Sequence, residues 1–175
     1  MTTTVPLYVG VDQGLRNTGV CFVDGDGAFV RALTVHPPRD AEGGARLAHI
    51  LAELTRELST PGLLGAACEG YAYGKSLRAH DMGEAGAVVR LAAHATRLPL
   101  LVVPPVKVIL AATGRTQAKA EDMVREARAR GAVVDDDHQA DAFFLARAAR
   151  AANVSPVNIE RTPRRRLRPV RVTSP

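Results

Sequence analysis

The fold is decided by the stretch Val5-Pro6-Leu7-Tyr8-Val9-Gly10-Val11-Asp12-Gln13-Gly14, which continues through Thr18–Val23 and Asp24-Gly25-Asp26-Gly27 to Ala28–Val35. Val5–Val11 is an apolar strand that stops at Asp12. Gln13-Gly14 then supplies a turn, where glycine tolerates positive φ. Thr18–Val23 is apolar and β-branched enough for a second strand. Asp24-Gly25-Asp26-Gly27 is a hairpin signal, and Ala28–Val35 returns as a third strand. The chain therefore opens as an antiparallel meander, with a carboxylate at the end of its first strand.

Downstream, Pro37-Pro38 closes the meander. Leu47, Ile50, Leu51, Leu54 and Leu58 recur at helical spacing, which predicts an amphipathic helix over about 41–58. Pro61-Gly62 breaks it. Leu63–Cys68 is short and wholly apolar, as a strand in the middle of a sheet is, and Glu69 stands at its carboxyl end. Residues 75–96 read as a long helix rich in small and apolar side chains. Its polar face is too narrow for a surface helix, so a sheet is expected on one side and a partner subunit on the other, with Ala85 and Val89 at the subunit contact. Leu98–Val103 is a fifth strand. Residues 106–112 and 116–130 look helical, and Asp135–His138 opens a last helix reaching about Ala152, with Asp136 and Gln139 in a capping-box pattern. The order βββ-α-β-α-β-α-α predicts an α/β fold, a mixed five-stranded sheet flanked by helices.

A right-handed crossover makes the first and fourth strands parallel neighbours, so Asp12 and Glu69 fall side by side. His138 and Asp141, at i and i+3, share one face of the last helix and point at the same edge. Like-charged carboxylates are costly to hold together unless a cation sits between them. A shared divalent-metal site of the kind used by metal-dependent nucleases is the expectation. Asp135, Asp136 and Asp137 read equally as helix-start chemistry, where anions favour the dipole, and as further ligands.

At 175 residues the chain is sized for one domain, expected over 1–155, with 156–175 as a disordered basic tail. Arg161, Arg164, Arg165, Arg166, Arg168 and Arg171 against Glu160 alone account for the whole net charge of +5. An arginine arm on a neutral body suits phosphate backbones; its bland reading is a solubilising terminus. No run approaches ~18 apolar residues, which argues against a membrane span. The start lacks the blocks of a signal peptide, and Cys21 and Cys68 sit in apolar runs without zinc spacing, so a cytoplasmic protein is expected, of bacterial or phage-infected cells.

Taken together, these blocks resemble the RuvC-type Holliday junction resolvases of the ribonuclease H-like superfamily, including their phage-type relatives. The resemblance rests on Val9–Gly14 with Asn17-Thr18-Gly19, and on Ala67-Cys68-Glu69 with Gly74-Lys75 and Gly83-Glu84-Ala85. It continues in Val103–Lys107 with Gly114, Lys119 and Met123-Val124, and ends in His138–Ala142. It covers about residues 5–152. It implies a ribonuclease H-like fold and a Mg²⁺-dependent, structure-selective endodeoxyribonuclease acting on four-way or other branched DNA. It further implies two Mg²⁺ ions per site, with Mn²⁺ able to substitute, and a homodimer that makes paired nicks in recombination, repair or phage DNA processing. Asp12, Glu69 and Asp141 match the family's acidic ligands, and His138 falls where members carry a carboxylate or a histidine. Lys107 and Lys119 match lysines that face the DNA backbone. Lys75, the aromatic pair Tyr71 and Tyr73, and tail residues Arg164, Arg165 and Arg166 are further DNA-binding candidates. Two rival readings compete with this one. One is a non-catalytic branched-DNA-binding protein on the same fold. The other is an actin-like sugar or acetate kinase, which needs two such domains to enclose its nucleotide.

Overall fold

Alternation along the first strand sorts the core into two layers. The computed structural model describes residues 5–70 and 79–154. In β1 (Leu7–Asp12), Val9 and Val11 pack into one apolar cluster and Tyr8 into the other. By the two-residue period of a strand, Gly10 and Asp12 share the side of Tyr8. The remaining strands are β2 (Thr18–Asp24), β3 (Phe29–Val35), β4 (Leu63–Glu69) and β5 (Leu100–Val103), arranged in the order β3-β2-β1-β4-β5. The first three are antiparallel, and β4 and β5 run parallel to β1. The mixed five-stranded sheet expected from the sequence is thus present, with its strand ends displaced by a residue or two.

Helices α1 (Gly43–Leu58) and α2 (Ala79–Ala95) cover the Val9 side, where Ile50, Leu54 and Leu58 meet Val88, Val89 and Ala92. On the other side lie α3 (Pro105–Thr113), α4 (Ala120–Ala129) and α5 (Asp137–Ala151). None of the described helices is long and apolar enough to cross a membrane.

One expectation is corrected here. Ala85 and Val89 are buried in the chain's own core, at 3% and 1% exposure, and cannot form a subunit contact. The outer face of α2 carries Glu84, Ala87 and Leu91 instead, Leu91 being 55% exposed. Small residues on both sides of the helix hid which side was inner.

The seating of α5 positions everything that follows. It lies across β1, β2 and β4, and glycines permit its close approach. A Cβ on Gly10 would run into the Ala142 carbonyl, and one on Gly19 into the His138 carbonyl. The backbone of α5 therefore rests directly on the sheet, and its first turns lie over the ends of β1 and β4. Behind this contact Phe143, Leu145 and Ala146 are fully buried, each large apolar side chain contributing roughly 1.5–3 kcal/mol on removal from water.

Candidate metal centre and its surroundings

Parallel pairing puts Val11 opposite Cys68, so the next residues of the two strands, Asp12 and Glu69, stand side by side. Both extend toward α5. That helix begins at an Asp136 N-cap, whose Oδ1 accepts from the Gln139 backbone N–H at 2.7 Å and whose Oδ2 accepts from the Thr34 hydroxyl at 2.6 Å. The buried Gln139 closes the start of the helix: its Oε1 accepts from the Asp135 N–H and its Nε2 donates to Thr34. Asp136 is thus engaged in fixing the helix to β3, which satisfies the helix-start reading for that residue. The reciprocal bond of the capping box goes to Asp135 rather than to Asp136 itself.

With the helix so fixed, His138 and Asp141 face the two strand ends. His138 Nδ1 is 2.8 Å from Asp12 Oδ2. Burial pushes the Glu69 carboxyl up to about 7, and the charge of Asp12 adds to the effect. Asp141 is pushed up to about 8, first by burial, then by Asp12, Glu69 and Asp137, with His138 opposing. These shared fields show that Asp12, Glu69 and Asp141, from three separate parts of the chain, form one acidic cluster. Such donors, each raising the cost of charging the next, fit a divalent cation in type and charge. Among the described residues no three His, Cys, Asp or Glu side chains stand close enough to chelate an ion directly, so the fit is of donor chemistry and not of finished coordination.

Both ring nitrogens of His138 have partners. Nε2 lies 3.3 Å from Asn17 Nδ2, and Asn17 Oδ1 lies 3.1 Å from His36 Nδ1. The result is a chain Asp12–His138–Asn17–His36. With the His138 ring neutral, one proton assignment satisfies it: His138 Nδ1–H donates to Asp12, the Asn17 amide donates to Nε2, and His36 Nδ1–H donates to Asn17. The bond to Asp12 holds the His138 ring protonated up to about pH 9, partly offset by burial. A protonated ring donates from Nε2 as well, which turns the Asn17 amide over so that its oxygen accepts.

A cavity of about 600 Å³ opens over Asp12 and His138, bounded also by Arg16, Arg46 and Asp81. Lys107 and Lys119 are both exposed, on α3 and at the start of α4, and neither lines it. Lys75, Tyr71, Tyr73, Arg164, Arg165 and Arg166, with the whole tail over 156–175, lie outside the described residues. Cys21 and Cys68 are free and buried, as expected, and burial pushes their thiols up to about 12 and about 11. Sequence reasoning missed Arg16, His36, Arg46 and Asp81. Asn17 stood in one of the resembling blocks without a role, although a polar residue three after the turn glycine Gly14 was a usable signal.

No protein-family model matches the sequence. Among curated proteins, the crossover junction endodeoxyribonuclease RuvC of Anaeromyxobacter sp. (strain K) is 33% identical over 144 residues, covering 80% of this chain and 78% of that protein. Among solved structures, T. thermophilus RuvC in complex with Holliday junction substrate superposes with a TM-score of 0.70 at 22% identity, covering 86% of this chain and 99% of that one. A second Thermus thermophilus RuvC structure gives 0.69 at 20% identity, with 85% and 98% covered. At these identities the structural likeness is one of fold.

Proposed function

The chain belongs to the RuvC family of crossover junction endodeoxyribonucleases, with the ribonuclease H-like fold, and we propose that it resolves four-way DNA junctions by paired, Mg²⁺-dependent nicks. The observation that carries this reading is the meeting of Asp12, Glu69 and Asp141 at one end of the β1–β4 pair, with His138 bonded to Asp12. These three carboxylates are the residues that would hold Mg²⁺, or Mn²⁺ in its place. When bound, the cations supply Lewis acidity to the scissile phosphate and a lowered pKa to the attacking water.

The chain's own groups do the positioning. His138 donates to Asp12 and fixes the direction of that carboxylate. Asn17, held by His36, fixes the ring of His138 in turn. Glu69 and Asp141 hold protons near neutral pH until a cation replaces them, so activity should rise with pH across that range. Products with 5′-phosphate and 3′-hydroxyl ends are expected. Two nicks in symmetry-related strands call for two centres, and a homodimer through the outer face of α2 would provide them. The arginine-rich tail, with Lys75, Lys107 and Lys119, would add contacts to phosphates without entering the chemistry.

The test is nicking of a synthetic four-way junction with and without Mg²⁺, comparing the unmodified protein with Asp12→Asn. Cleavage should require the metal and fall by several orders of magnitude in the variant, while junction binding stays near the unmodified level. Metal-independent cleavage, or full activity in Asp12→Asn, would remove the reading. Tight junction binding without any cleavage would leave the non-catalytic binding protein in its place.

A further inference from the structure

We propose that Arg16, Arg39 and Arg46 form a binding track for the phosphodiester backbone of one DNA arm, leading that strand along the β3–α1 side onto the acidic centre. The inference rests on the nuclease reading above and adds to it a route and three residues.

The track is visible as two adjoining cavities. The first, of about 600 Å³, opens on Asp12 and His138, and the second, of about 550 Å³, reaches His36, Pro37, Pro38 and Arg39. Arg16, Asn17 and Arg46 line both, so the two form one continuous groove. Three arginines lie along it, while elsewhere Arg128, Arg147 and Arg150 are engaged by backbone carbonyls. Arg31, Arg56, Arg115, Arg125 and Arg130 are all paired with carboxylates. Among the described residues Arg16, Arg39 and Arg46 have no acidic partner.

A guanidinium without an acidic partner keeps a fork of donors that matches phosphate oxygens. Arg46 is also held in place, because its Nε donates to the Ala41 carbonyl at 3.0 Å and leaves its two terminal nitrogens for the groove. Among the described residues Asp81 is the one acidic group that lines the groove besides Asp12, so the arginines outnumber it. Gln13 gives an independent sign of a missing partner. It lines the first cavity at 4% exposure, and neither atom of its amide has a hydrogen-bond partner among the described residues. An acidic centre repels the phosphates it must cut, and three cations beside it offset that repulsion where the strand enters.

The experiment uses the full chain, a four-way junction and a linear duplex, with divalent cations chelated so that only binding is read. Affinity is measured against NaCl concentration for the unmodified protein and for Arg16→Gln/Arg39→Gln/Arg46→Gln. Each phosphate contact contributes about 0.9 to the slope of log affinity against log salt, so the triple variant should flatten it by about 2–3. A matched control, Arg56→Gln/Arg115→Gln/Arg125→Gln, removes as many cations from ion pairs elsewhere and should change the slope by less than about 1. The double variant Arg16→Gln/Arg39→Gln keeps the Arg46 bond to Ala41 and should flatten the slope by up to about 2, even if the triple variant folds poorly.

A second readout locates the strand. Cys21 and Cys68 are buried with raised thiols, so Arg39→Cys can be labelled selectively with an iron chelate that scars nearby sugar-phosphate backbone. Scars should fall on one junction arm per protomer, two symmetry-related arms in a dimer, each at a fixed distance from its nick. An unchanged slope in the double variant, an equal loss in the control, or scars scattered over all arms would overturn the track. Steep, arginine-dependent binding in a protein that fails to cut with Mg²⁺ would instead remove the nuclease reading and leave the track standing.

Discussion

Raising the pH of the metal-free protein from about 5 to about 8 should cost it stability, and Mg²⁺ should restore most of the loss. Glu69 is pushed up to about 7 and Asp141 to about 8, each by burial first and then by the charge of Asp12. In the unfolded chain these carboxyls titrate near 4. Between the two ranges the folded protein holds protons that the unfolded chain has released. The contribution of these groups to stability is therefore fullest below about pH 4 and is lost as pH rises through about 7 and 8. One such proton is worth about 1.4 kcal/mol per pH unit. Glu69 and Asp141 both respond to Asp12, and Asp141 to Glu69, so they release protons as a set. About half of the two-proton ceiling is expected, on the order of 1–1.5 kcal/mol per unit. His138, raised to about 9, acts in the same direction over a later window, from its unfolded value near 6.5 upward. Urea unfolding followed by circular dichroism, with chelator and then with saturating MgCl₂, measures both effects. Mg²⁺ must displace the protons, so its stabilisation should be small at the acid end and reach about 2.7 kcal/mol at the alkaline end when the ion is near 100-fold above its Kd. Asp141→Asn should roughly halve the pH slope. Parallel pH curves for the two proteins, or equal stabilisation by Mg²⁺ at both ends, would refute the reasoning.

Gly19→Ala should place a methyl group against the His138 carbonyl and push α5 off the sheet. A loss of about 1–3 kcal/mol is expected in unfolding, with single-turnover cleavage falling far more than junction binding. Asn17→Ala should leave His138 Nε2 without its partner, slow cleavage severalfold and shift the pH–rate profile, while ¹⁵N signals of both His138 and His36 move; an unmoved His36 signal would break the chain of bonds. On α2, Leu91→Glu should yield monomers in light scattering with an unchanged melting temperature, whereas Val89→Glu should unfold the protein, since that side chain is 1% exposed.

Much of the centre was legible because its parts obey local rules. A run of apolar residues ending in Asp12 or Glu69 marks a strand end whatever the rest of the chain does, and His138 with Asp141 marks one helix face. The crossover rule then brought the two strand ends together, and the sheet has that order. The inner face of α2 was not legible, because small apolar residues on both sides of a helix give periodicity nothing to choose between. Nor was the chain from Asp12 to His36, whose members come from β1, the β1–β2 turn, the residue after β3, and α5. The groove of Arg16, Arg39 and Arg46 was equally invisible, being assembled from the β1–β2 turn, the loop after β3 and the first turn of α1. The sequence by itself determined which residues end strands, which share a helix face and what chemistry they carry, because backbone period and charge are local properties. Only the tertiary structure decided which loops lie against that face, because their proximity depends on how closely α5 settles over Gly10 and Gly19.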